Sequence, residues 1–412
     1  MPRRLLSAGL RRLRSGYGRF AQATFGTGRP LIELSVNENP TFFGYYDKTP
    51  FGRDNRLVLG MTLQTESSQS AAVGYFDTAD GNQFKPFGET TTWSWQLGAR
   101  LQWMPGTDED IAGYNRVVEG QHGFVVQNVQ TGKVLAEYPV PVFDISPDGR
   151  YGLSLNFSRL RRMRAGYGYG GVDDATLGRL APDDDGVVLL DFENGDSRLL
   201  ISLSSLMEIC PTDSIAGAEH YVNHLSFSPS GKRFLFLHLW KRGSERFSRP
   251  ITADIDGENL FVLEHQVSMS HYAWRNSDEL LIHTSRRPHG TRFIMFRDQS
   301  EHKRIIGGDI LTEAGHPSFS PDGRRLVVDT YPDNTRRQSL YLCTGEGALI
   351  ERVGRFYSPP VFSGANKCDL HPRWDRSGSR ICIDSAHSGR RAMYIIDLDA
   401  TVPGSAAGSA HC

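Results

Sequence analysis

One short repeat constrains the fold of this chain more than any other feature. Residues 315–329 read Gly-His-Pro-Ser-Phe-Ser-Pro-Asp-Gly-Arg-Arg-Leu-Val-Val-Asp. The His-Pro pair begins an extended segment, the Pro-Asp-Gly turn places Gly323 at positive φ, and the apolar run after it suits a strand. This pattern predicts two adjacent antiparallel strands. Weaker copies recur at 43–52, 100–106, 142–149, 224–231, 271–276 and 371–378.

The seven copies predict an all-β fold, a seven-bladed β-propeller. Most copies lie about 40 to 60 residues apart, and an apolar strand and a second hairpin follow them, so each unit has room for four strands. An open solenoid is the alternative. Closure into a ring is favoured because the last unit lacks an outermost strand. The unassigned segment 31–36 can complete that blade and remove an exposed sheet edge.

The two ends of the chain differ from the repeats. Residues 1–30 read as a basic tail, with six arginines and no acid in the first 20, and 401–412 read as a disordered tail. This division leaves 31–400 as a single propeller domain. The basic tail has no uninterrupted apolar stretch, so neither a secretory signal nor a membrane span is predicted. Leu6, Leu10, Leu13 and Tyr17 share one helical face, which permits weak contact with a membrane surface; a mobile tail is the alternative.

Charge and cysteine usage limit the compartment and the partners. The net charge is -1, so there is no overall electrostatic drive toward nucleic acid. The five cysteines are scattered, without the close pairs of a zinc site or a disulfide framework, which is typical of a reducing compartment. We therefore expect a cytoplasmic protein.

The residue that leads into the innermost strand of each blade is predicted to face the mouth of the central channel. When a titratable residue is repeated at this position, side chains from separate strands can form one site. A single buried histidine, in contrast, more often has a structural role. Histidines from four consecutive blades would converge on one funnel. At this position the seven units carry Tyr45, Arg100, Val142, His224, His271, His316 and His371.

Loops expected on the same face are rich in arginine, histidine and tyrosine. Arginine binds carboxylates through two parallel hydrogen bonds, and tyrosine offers a flat face to a sugar ring. Together with Arg100, His224 and His371, these loops predict binding of an acidic oligosaccharide. Nucleic acid is a rival ligand, although a broad basic surface is lacking. The loop candidates are Arg164, Tyr167, Tyr169, Arg286, His387 and Arg390.

Two motifs carry a resemblance to a known family. The unit His-Pro-x-Phe-Ser-Pro-Asp-Gly at 316–323 and the segment Leu-His-Pro-Arg-Trp-Asp at 370–375 resemble the oligogalacturonate lyase family of seven-bladed propellers. More loosely, they resemble TolB-type propellers. The resemblance covers about residues 31–400 and implies a divergent polysaccharide lyase.

In that family a metal, usually manganese, is held by histidines and a glutamine, and a further histidine is the suggested base. The resemblance implies His316 and His371 as metal ligands and His271 as the base. Cys368 stands where the glutamine would be, and Arg373 stands where a third histidine would be. We therefore expect either no cofactor or, if the family site is retained, a divalent metal such as Mn²⁺.

The reaction implied by the resemblance is β-elimination on an oligosaccharide that contains uronic acid. A base removes the C5 proton while the 4-linked oxygen leaves, and this proton becomes acidic when the sugar carboxylate is neutralised. His271 or His316 is the candidate base. Arg373, with Arg100 in reserve, is the candidate cation, and Tyr45 is the candidate proton donor to the leaving oxygen.

Two other functions stay open. Hydrolysis needs two carboxylates that face each other across the bond, and Asp47, Asp329 and Asp384 are available. A non-catalytic propeller would bind an acidic glycan or a protein partner in polysaccharide assembly, and propellers host both classes.

Overall fold

The computed structural model describes residues 29–265, 268–286, 290–308 and 310–400. Almost all of the basic N-terminal tail and the whole C-terminal tail lie outside the described residues, so what the sequence predicts for them stays a prediction. Within the described ranges, no helix has both the length and the apolar character needed to cross a membrane. Four cysteines in these ranges are free thiols: Cys210, Cys343, Cys368 and Cys382.

In the described residues the strands form seven antiparallel sheets of four strands, each of which is one blade of a propeller. The sequence prediction of a seven-bladed propeller is therefore confirmed. Blades 1 to 3 contain β2 (Thr41–Phe42), β3 (Leu57–Thr62), β4 (Ala71–Asp77), β5 (Gln83–Thr90), β6 (Gln102–Trp103), β7 (Ile111–Val118), β8 (Gln121–Asn128), β9 (Val134–Tyr138), β10 (Asp144–Ile145), β11 (Tyr151–Ser154), β12 (Gly186–Asp191) and β13 (Ser197–Ser202).

The remaining blades follow the same plan, and short helices interrupt the connections. Blades 4 to 7 contain β14 (Glu219–Phe227), β15 (Arg233–Arg242), β16 (Glu245–Asp254), β17 (Phe261–Val262), β18 (Ser268–Trp274), β19 (Glu279–Arg286), β20 (Gly290–Arg297), β21 (Lys303–Ile306), β22 (Pro317–Phe319), β23 (Arg325–Asp329), β24 (Arg337–Thr344), β25 (Leu349–Tyr357), β26 (Arg373–Trp374), β27 (Arg380–Ser385) and β28 (Ala392–Asp397), with β1 (Leu31–Leu34) as the last strand of blade 7. The helices are α1 (Phe157–Met163), α2 (Leu203–Glu208) and a 3₁₀ turn (Gly364–Asn366).

Ring closure by the N-terminal strand is also confirmed. β1 pairs antiparallel with β28, and the register places Leu31 opposite Ile396 and Leu34 opposite Met393. The strand is shorter than the predicted segment 31–36, because Val36 forms its bridge with Asn39. Leu34 is fully buried, so pairing of β1 covers both an apolar side chain and the edge of β28.

Burial decreases from the middle of a blade toward its outer edge. All six residues of β3 are buried, because each face of the sheet packs against a neighbouring blade. β5, the outermost strand of the same blade, has exposed or half-buried side chains at every position except its last. This gradient explains why the second strands read as continuous apolar runs in the sequence, without the alternation of a half-exposed strand.

The Pro-Asp-Gly turns pack one blade against the next on the lower rim of the ring. Gly149 has a φ of +77°, and a Cβ at this position would lie 2.4 Å from the carbonyl oxygen of Pro105 in the preceding turn. Glycine meets both constraints at no steric cost. The loops between the second and third strands lie on the opposite rim, here called the upper rim, since the strands are antiparallel.

Candidate functional site at the upper end of the channel

Irregular backbone turns the ring residues of the sequence analysis toward the channel. Arg100, His224 and His371 have positive φ values of 52°, 57° and 46°. This region is unfavourable for a residue with a side chain, and outside turns such residues cluster at functional sites. The register of β14 shifts around His224, and that of β18 shifts around His271. Such bulges re-aim a side chain, so the strand irregularities and the positive φ values position these residues.

Four histidines meet at the upper end of the channel, and we call the group His224, His271, His316 and His371 the histidine cup. The ring centroids of His271 and His316 are 4.2 Å apart, and those of His316 and His371 are 4.4 Å apart. Tyr45 links His224 to this row, with its ring 5.1 Å from that of His224 and 5.0 Å from that of His371. The structure therefore brings together all four histidines that the repeat pattern selected.

The cup is not the open funnel that the sequence predicted. Its four histidines are at most 2% exposed. The cover is the segment 157–170 of blade 3, here called the roof, which begins with α1. Arg164 lies over the ring of Tyr167 at 4.0 Å, and its Nη1 is 3.4 Å from Nε2 of His224. The ring of Tyr167 also meets that of Tyr45 edge-on at 6.2 Å. Two of the predicted ligand-binding residues thus close the cup.

Tyr169 points away from the cup. Its ring stacks on Phe157 with a centroid distance of 4.3 Å, and its hydroxyl oxygen accepts a hydrogen bond from Nδ2 of Asn115 at 3.1 Å. The side chain is fully buried. Tyr169 therefore anchors the roof to blade 2 and does not have the ligand contact that the sequence analysis predicted.

Hydrogen bonds fix the tautomers of two cup histidines. Nδ1 of His316 lies 2.9 Å from Oδ1 of Asp329, and Nδ1 of His371 lies 2.7 Å from the carbonyl oxygen of Gly44. A carboxylate and a carbonyl oxygen only accept hydrogen bonds, so both Nδ1 atoms donate, and in the neutral form of each ring Nε2 carries the lone pair. Each Nε2 is buried and has no hydrogen-bond partner among the described residues. The cup therefore presents two unused imidazole lone pairs.

Burial favours the neutral form of three cup histidines. It lowers the pKa of His224, His271 and His371 well below the usual histidine value. For His271, Nδ1 lies 3.2 Å from the hydroxyl of Ser270 and Nε2 lies 3.3 Å from the hydroxyl of Tyr331. A neutral ring with one lone pair can take up a proton, which is the state that a general base requires.

Tyr45 is held in its protonated form. Burial is the main cause that raises its pKa well above the usual tyrosine value, and the neighbouring Tyr167 adds to the shift. Its hydroxyl lies 3.5 Å from Nε2 of His224. A buried, protonated phenol beside the histidines is a possible proton donor, as the sequence analysis predicted, while its raised pKa makes it a weak acid.

A carboxylate completes a candidate metal site. His316, Asp369 and His371 each offer a ligand atom, and these atoms lie within 4.8 Å of one another. Two imidazoles and a carboxylate are a common donor set for divalent transition metals. Asp369 also forms an ion pair with Lys367. Burial opposes the charge on Lys367, but Asp369, Tyr167 and Tyr331 together outweigh burial and raise the pKa of the lysine. A cation therefore already lies next to this site.

The sequence analysis missed Asp369, although a signal existed. Asp369 stands two positions before His371, and alternate residues of an extended segment point to the same side. Cys368, which was compared with a family ligand, packs instead against Phe362 and Ala386. Burial raises the pKa of Cys368 to about 12, so its thiol stays protonated and is a poor ligand. Lys367 was also missed, because it comes from a loop whose path the repeat does not specify.

Arg373 and Arg100 do not have the free guanidinium groups that the sequence analysis assigned to them. Arg373 is buried and donates to both carboxylate oxygens of Asp384, at 3.1 and 3.0 Å. Its Nε donates to the carbonyl oxygen of Tyr45 at 3.1 Å. Arg100 forms an equivalent buried pair with Asp47, at 2.9 and 2.8 Å. Both arginines join neighbouring blades, so neither is available to a substrate carboxylate.

The same contacts weigh against hydrolysis. Asp47 and Asp384 are paired with arginines, and Asp329 accepts hydrogen bonds from the backbone N–H groups of His316 at 2.6 Å and His371 at 3.0 Å. Inverting and retaining glycosidases need two carboxyl groups that flank the substrate bond. These three carboxylates instead connect the blades around the ring.

The remaining loop candidates lie away from the cup or outside the description. His387 is buried with its ring 4.6 Å from that of Tyr394 in β28, and burial lowers its pKa to about 4. Arg390 forms an ion pair with Glu33 in β1, on the outer strand of blade 7. The side chain of Arg286 lies outside the described residues, so its predicted role stays a prediction.

Comparison with known proteins supports the fold but shows no family membership. No protein-family model and no curated protein matches the sequence. Among solved structures, an oligogalacturonate lyase in complex with manganese has a TM-score of 0.67 at 15% identity, over 93% of this chain and 97% of that chain. The oligogalacturonate lyase of Vibrio parahaemolyticus has a TM-score of 0.64 at 11% identity, over 92% of this chain and 98% of that chain.

A protein with a different activity also matches along most of its length. The hydrazine synthase of Kuenenia stuttgartiensis has a TM-score of 0.51 at 11% identity, over 90% of this chain and 98% of that chain. At such identities a structural likeness shows a shared propeller and leaves the chemistry to the site. The predicted resemblance to oligogalacturonate lyase is thus confirmed at the level of the fold.

Proposed function

We propose that this protein cleaves an acidic oligosaccharide by β-elimination at the histidine cup. The observation that carries the proposal is the pair of buried Nε2 lone pairs of His316 and His371, beside the neutral ring of His271. Buried polar atoms without partners are rare in folded proteins, and a ligand is one explanation for them. The likeness in fold to oligogalacturonate lyases supports a uronate substrate.

The proposed proton transfers use residues of this chain. His271 accepts the proton from C5 of the uronate through its lone pair. The C5–H electron pair forms the C4=C5 double bond, and the C4–O bond breaks. Tyr45 donates its hydroxyl proton to the departing oxygen. Both residues begin in the protonation state that these roles require, because burial lowers the pKa of His271 and raises that of Tyr45.

The substrate carboxylate needs positive charge to make the C5 proton acidic. Arg164 and Lys367 replace Arg373 in this role, because Arg164 reaches His224 and Lys367 pairs with Asp369 at the edge of the cup. A divalent metal also fits, with His316, His371 and Asp369 as ligands, and when bound it would supply additional Lewis acidity at the carboxylate. The hydrogen bonds of Nδ1 to Asp329 and Gly44 are the outer contacts that orient metal-binding imidazoles.

Substrate access requires movement of the roof. The cup histidines are at most 2% exposed while Arg164 and Tyr167 lie over them. Closing segments of this kind exclude water from a reaction and open for exchange of ligand. The closed roof also favours the second candidate function, a non-catalytic propeller that binds an acidic glycan or a protein partner at its upper rim.

The experiment that tests the proposal is incubation with a panel of uronate oligosaccharides that differ in sugar and linkage. Elimination creates a C4=C5 double bond conjugated to the carboxylate, and this conjugated group absorbs ultraviolet light. Neither hydrolysis nor binding creates such a group. We expect absorbance to rise with at least one substrate and not with its fully reduced, carboxylate-free analogue. Binding of a uronate without any unsaturated product would replace the lyase by the non-catalytic function.

A further inference from the structure

We propose that a groove on the upper rim, outside the roof, binds a second sugar residue of the same acidic oligosaccharide. This inference deepens the proposed function and rests on it. The groove has a volume of about 590 Å³, which lies within the range of roughly 300–1,000 Å³ found for small-molecule sites. Its lining includes Glu66, Trp93, Trp95, Arg161 and Tyr167, and we call it the outer groove.

Two tryptophans give the outer groove a fixed aromatic wall. The rings of Trp93 and Trp95 meet edge-to-face at 5.0 Å, and both are half-buried. Nε1 of Trp93 donates to the carbonyl oxygen of Gln69 at 2.8 Å. Arg391 lies over the ring of Trp95 at 4.2 Å. A half-buried indole whose orientation is fixed by such contacts offers apolar area at low entropic cost, which suits the C–H face of a pyranose.

Arg161 supplies an unused positive charge in this groove. The other arginines of the roof have partners: Arg159 is buried and donates to backbone carbonyls, and Arg162 pairs with Asp174 at 2.9 Å. Arg164 lies over a tyrosine ring at 4.0 Å. Arg161 is exposed, and its side chain has no hydrogen bond or ion pair among the described residues. A free guanidinium beside an aromatic wall matches a sugar that carries a carboxylate.

The outer groove adjoins the cup through one residue. Tyr167 lines the groove, and its ring also meets the rings of Tyr45 at 6.2 Å and His224 at 6.0 Å. A chain with one uronate in the cup would therefore place a neighbouring residue in the groove. Glu66, the acid in the lining, can accept hydrogen bonds from sugar hydroxyls. The occupant best matched to this lining is a uronate ring with free hydroxyls.

The test measures affinity against chain length. Calorimetric titration of the full chain with a uronate monosaccharide and with uronate di- and trisaccharides should show tighter binding of the oligosaccharides than of the monosaccharide. Trp93→Ala and Arg161→Gln should each weaken binding of the trisaccharide by about tenfold while leaving the monosaccharide unchanged. Trp93→Phe should retain most of the gain, because it keeps an aromatic face. Arg324→Gln, an exposed arginine in a Pro-Asp-Gly turn of the lower rim, is the matched control and should change nothing.

Two outcomes would overturn the groove: no gain in affinity with length, or a gain that persists in both variants. If Trp93→Ala does not fold, Arg161→Gln decides the question, because Arg161 is exposed and its replacement removes no side-chain hydrogen bond or ion pair among the described residues. The test also separates the two proposals. If binding depends on chain length, the variants lose that dependence and no unsaturated product forms, the outer groove is a sugar site and the lyase proposal is wrong. If unsaturated product forms but affinity does not depend on oligosaccharide length, the lyase proposal stands and the groove proposal is wrong.

Discussion

Two groups of buried histidines in this protein, a pair in blade 4 and the histidine cup, differ in their hydrogen bonds. In blade 4, Nε of Arg249 donates to Nδ1 of His238 at 3.1 Å. The second nitrogen of His238 lies 2.9 Å from Nδ1 of His220, and Nε2 of His220 lies 3.1 Å from the carbonyl oxygen of Ile215. Because arginine only donates and a carbonyl only accepts, both rings are neutral and every ring nitrogen has a partner. This histidine pair is a complete hydrogen-bonded chain.

In the histidine cup the chain of partners is incomplete. Within the described structure, Nε2 of His316, Nε2 of His371 and Nδ1 of His224 are buried without a hydrogen bond. Leaving a buried polar atom unpaired costs about 1–3 kcal/mol. Burial and residue type therefore do not distinguish the cup from the pair in blade 4. The ring nitrogens do, because Nε2 of His316 and Nε2 of His371 have no partner among the described residues, and an unpaired lone pair retains capacity for a proton or a metal.

The largest expected difference between the two regions is in catalysis. If the lyase proposal holds, His271→Gln should lower the turnover number by about 10²–10⁴-fold, because it removes the proposed base. Its free energy of unfolding should change by no more than about 2 kcal/mol. The measurements are initial rates of unsaturated product and urea unfolding. Near-normal turnover in His271→Gln would remove this residue from the mechanism and shift the role of base to His316.

The histidine pair of blade 4 should respond in the opposite way. His238→Ala removes the acceptor of Arg249 and the donor to His220, so the free energy of unfolding should fall by about 2–4 kcal/mol. Turnover of the folded fraction should stay within about twofold of the unmodified protein, since the pair is not part of the cup. A stable but inactive His238→Ala protein would show that the histidine pair of blade 4 is needed for activity, and the proposed difference between the two groups would be wrong.

Metal binding should follow the unpaired nitrogens. Mn²⁺ at about 100 times its dissociation constant should stabilise the protein by about 2.7 kcal/mol, as measured by thermal unfolding. His316→Ala and His371→Ala should abolish this stabilisation, and His238→Ala should retain it. Lys367→Met should tighten binding, because it removes a competing cation from Asp369. Equal stabilisation of the His316→Ala protein would show that the ion binds elsewhere.

The smallest expected effect is on the pH dependence of stability. Burial lowers the pKa of His220 to about 4 in the folded protein, so the unfolded chain binds its proton first as the pH falls. Stability from this residue is therefore present above about pH 6.5 and is lost below it, by up to about 2 kcal/mol at pH 5. His220→Asn should show a shallower fall in the urea midpoint over this interval. An unchanged slope would mean that His220 is not buried in its neutral form.

The sequence determined the architecture of this protein. Seven recurrences of one strand-turn-strand pattern fixed the number of blades, and the unassigned apolar segment at 31–36 identified the closing strand, because a sheet edge needs a partner. The repeat also selected His224, His271, His316 and His371, since equivalent positions of repeated blades must lie on one ring. These inferences need only local pattern and symmetry.

Only the tertiary structure decided which polar side chains are free. Arg373 and Arg100 looked like substrate-binding groups in the sequence, but Arg373 pairs with Asp384 of the adjacent strand and donates to the carbonyl oxygen of Tyr45 in the next blade, and Arg100 pairs with Asp47 of the preceding blade. Asp369 became a candidate ligand in the same way, and Arg161 a free cation. Whether a charged side chain faces a partner or a cavity depends on which other strands and loops pack beside it. A local sequence pattern does not specify those neighbours, because they are brought together by packing of the whole ring.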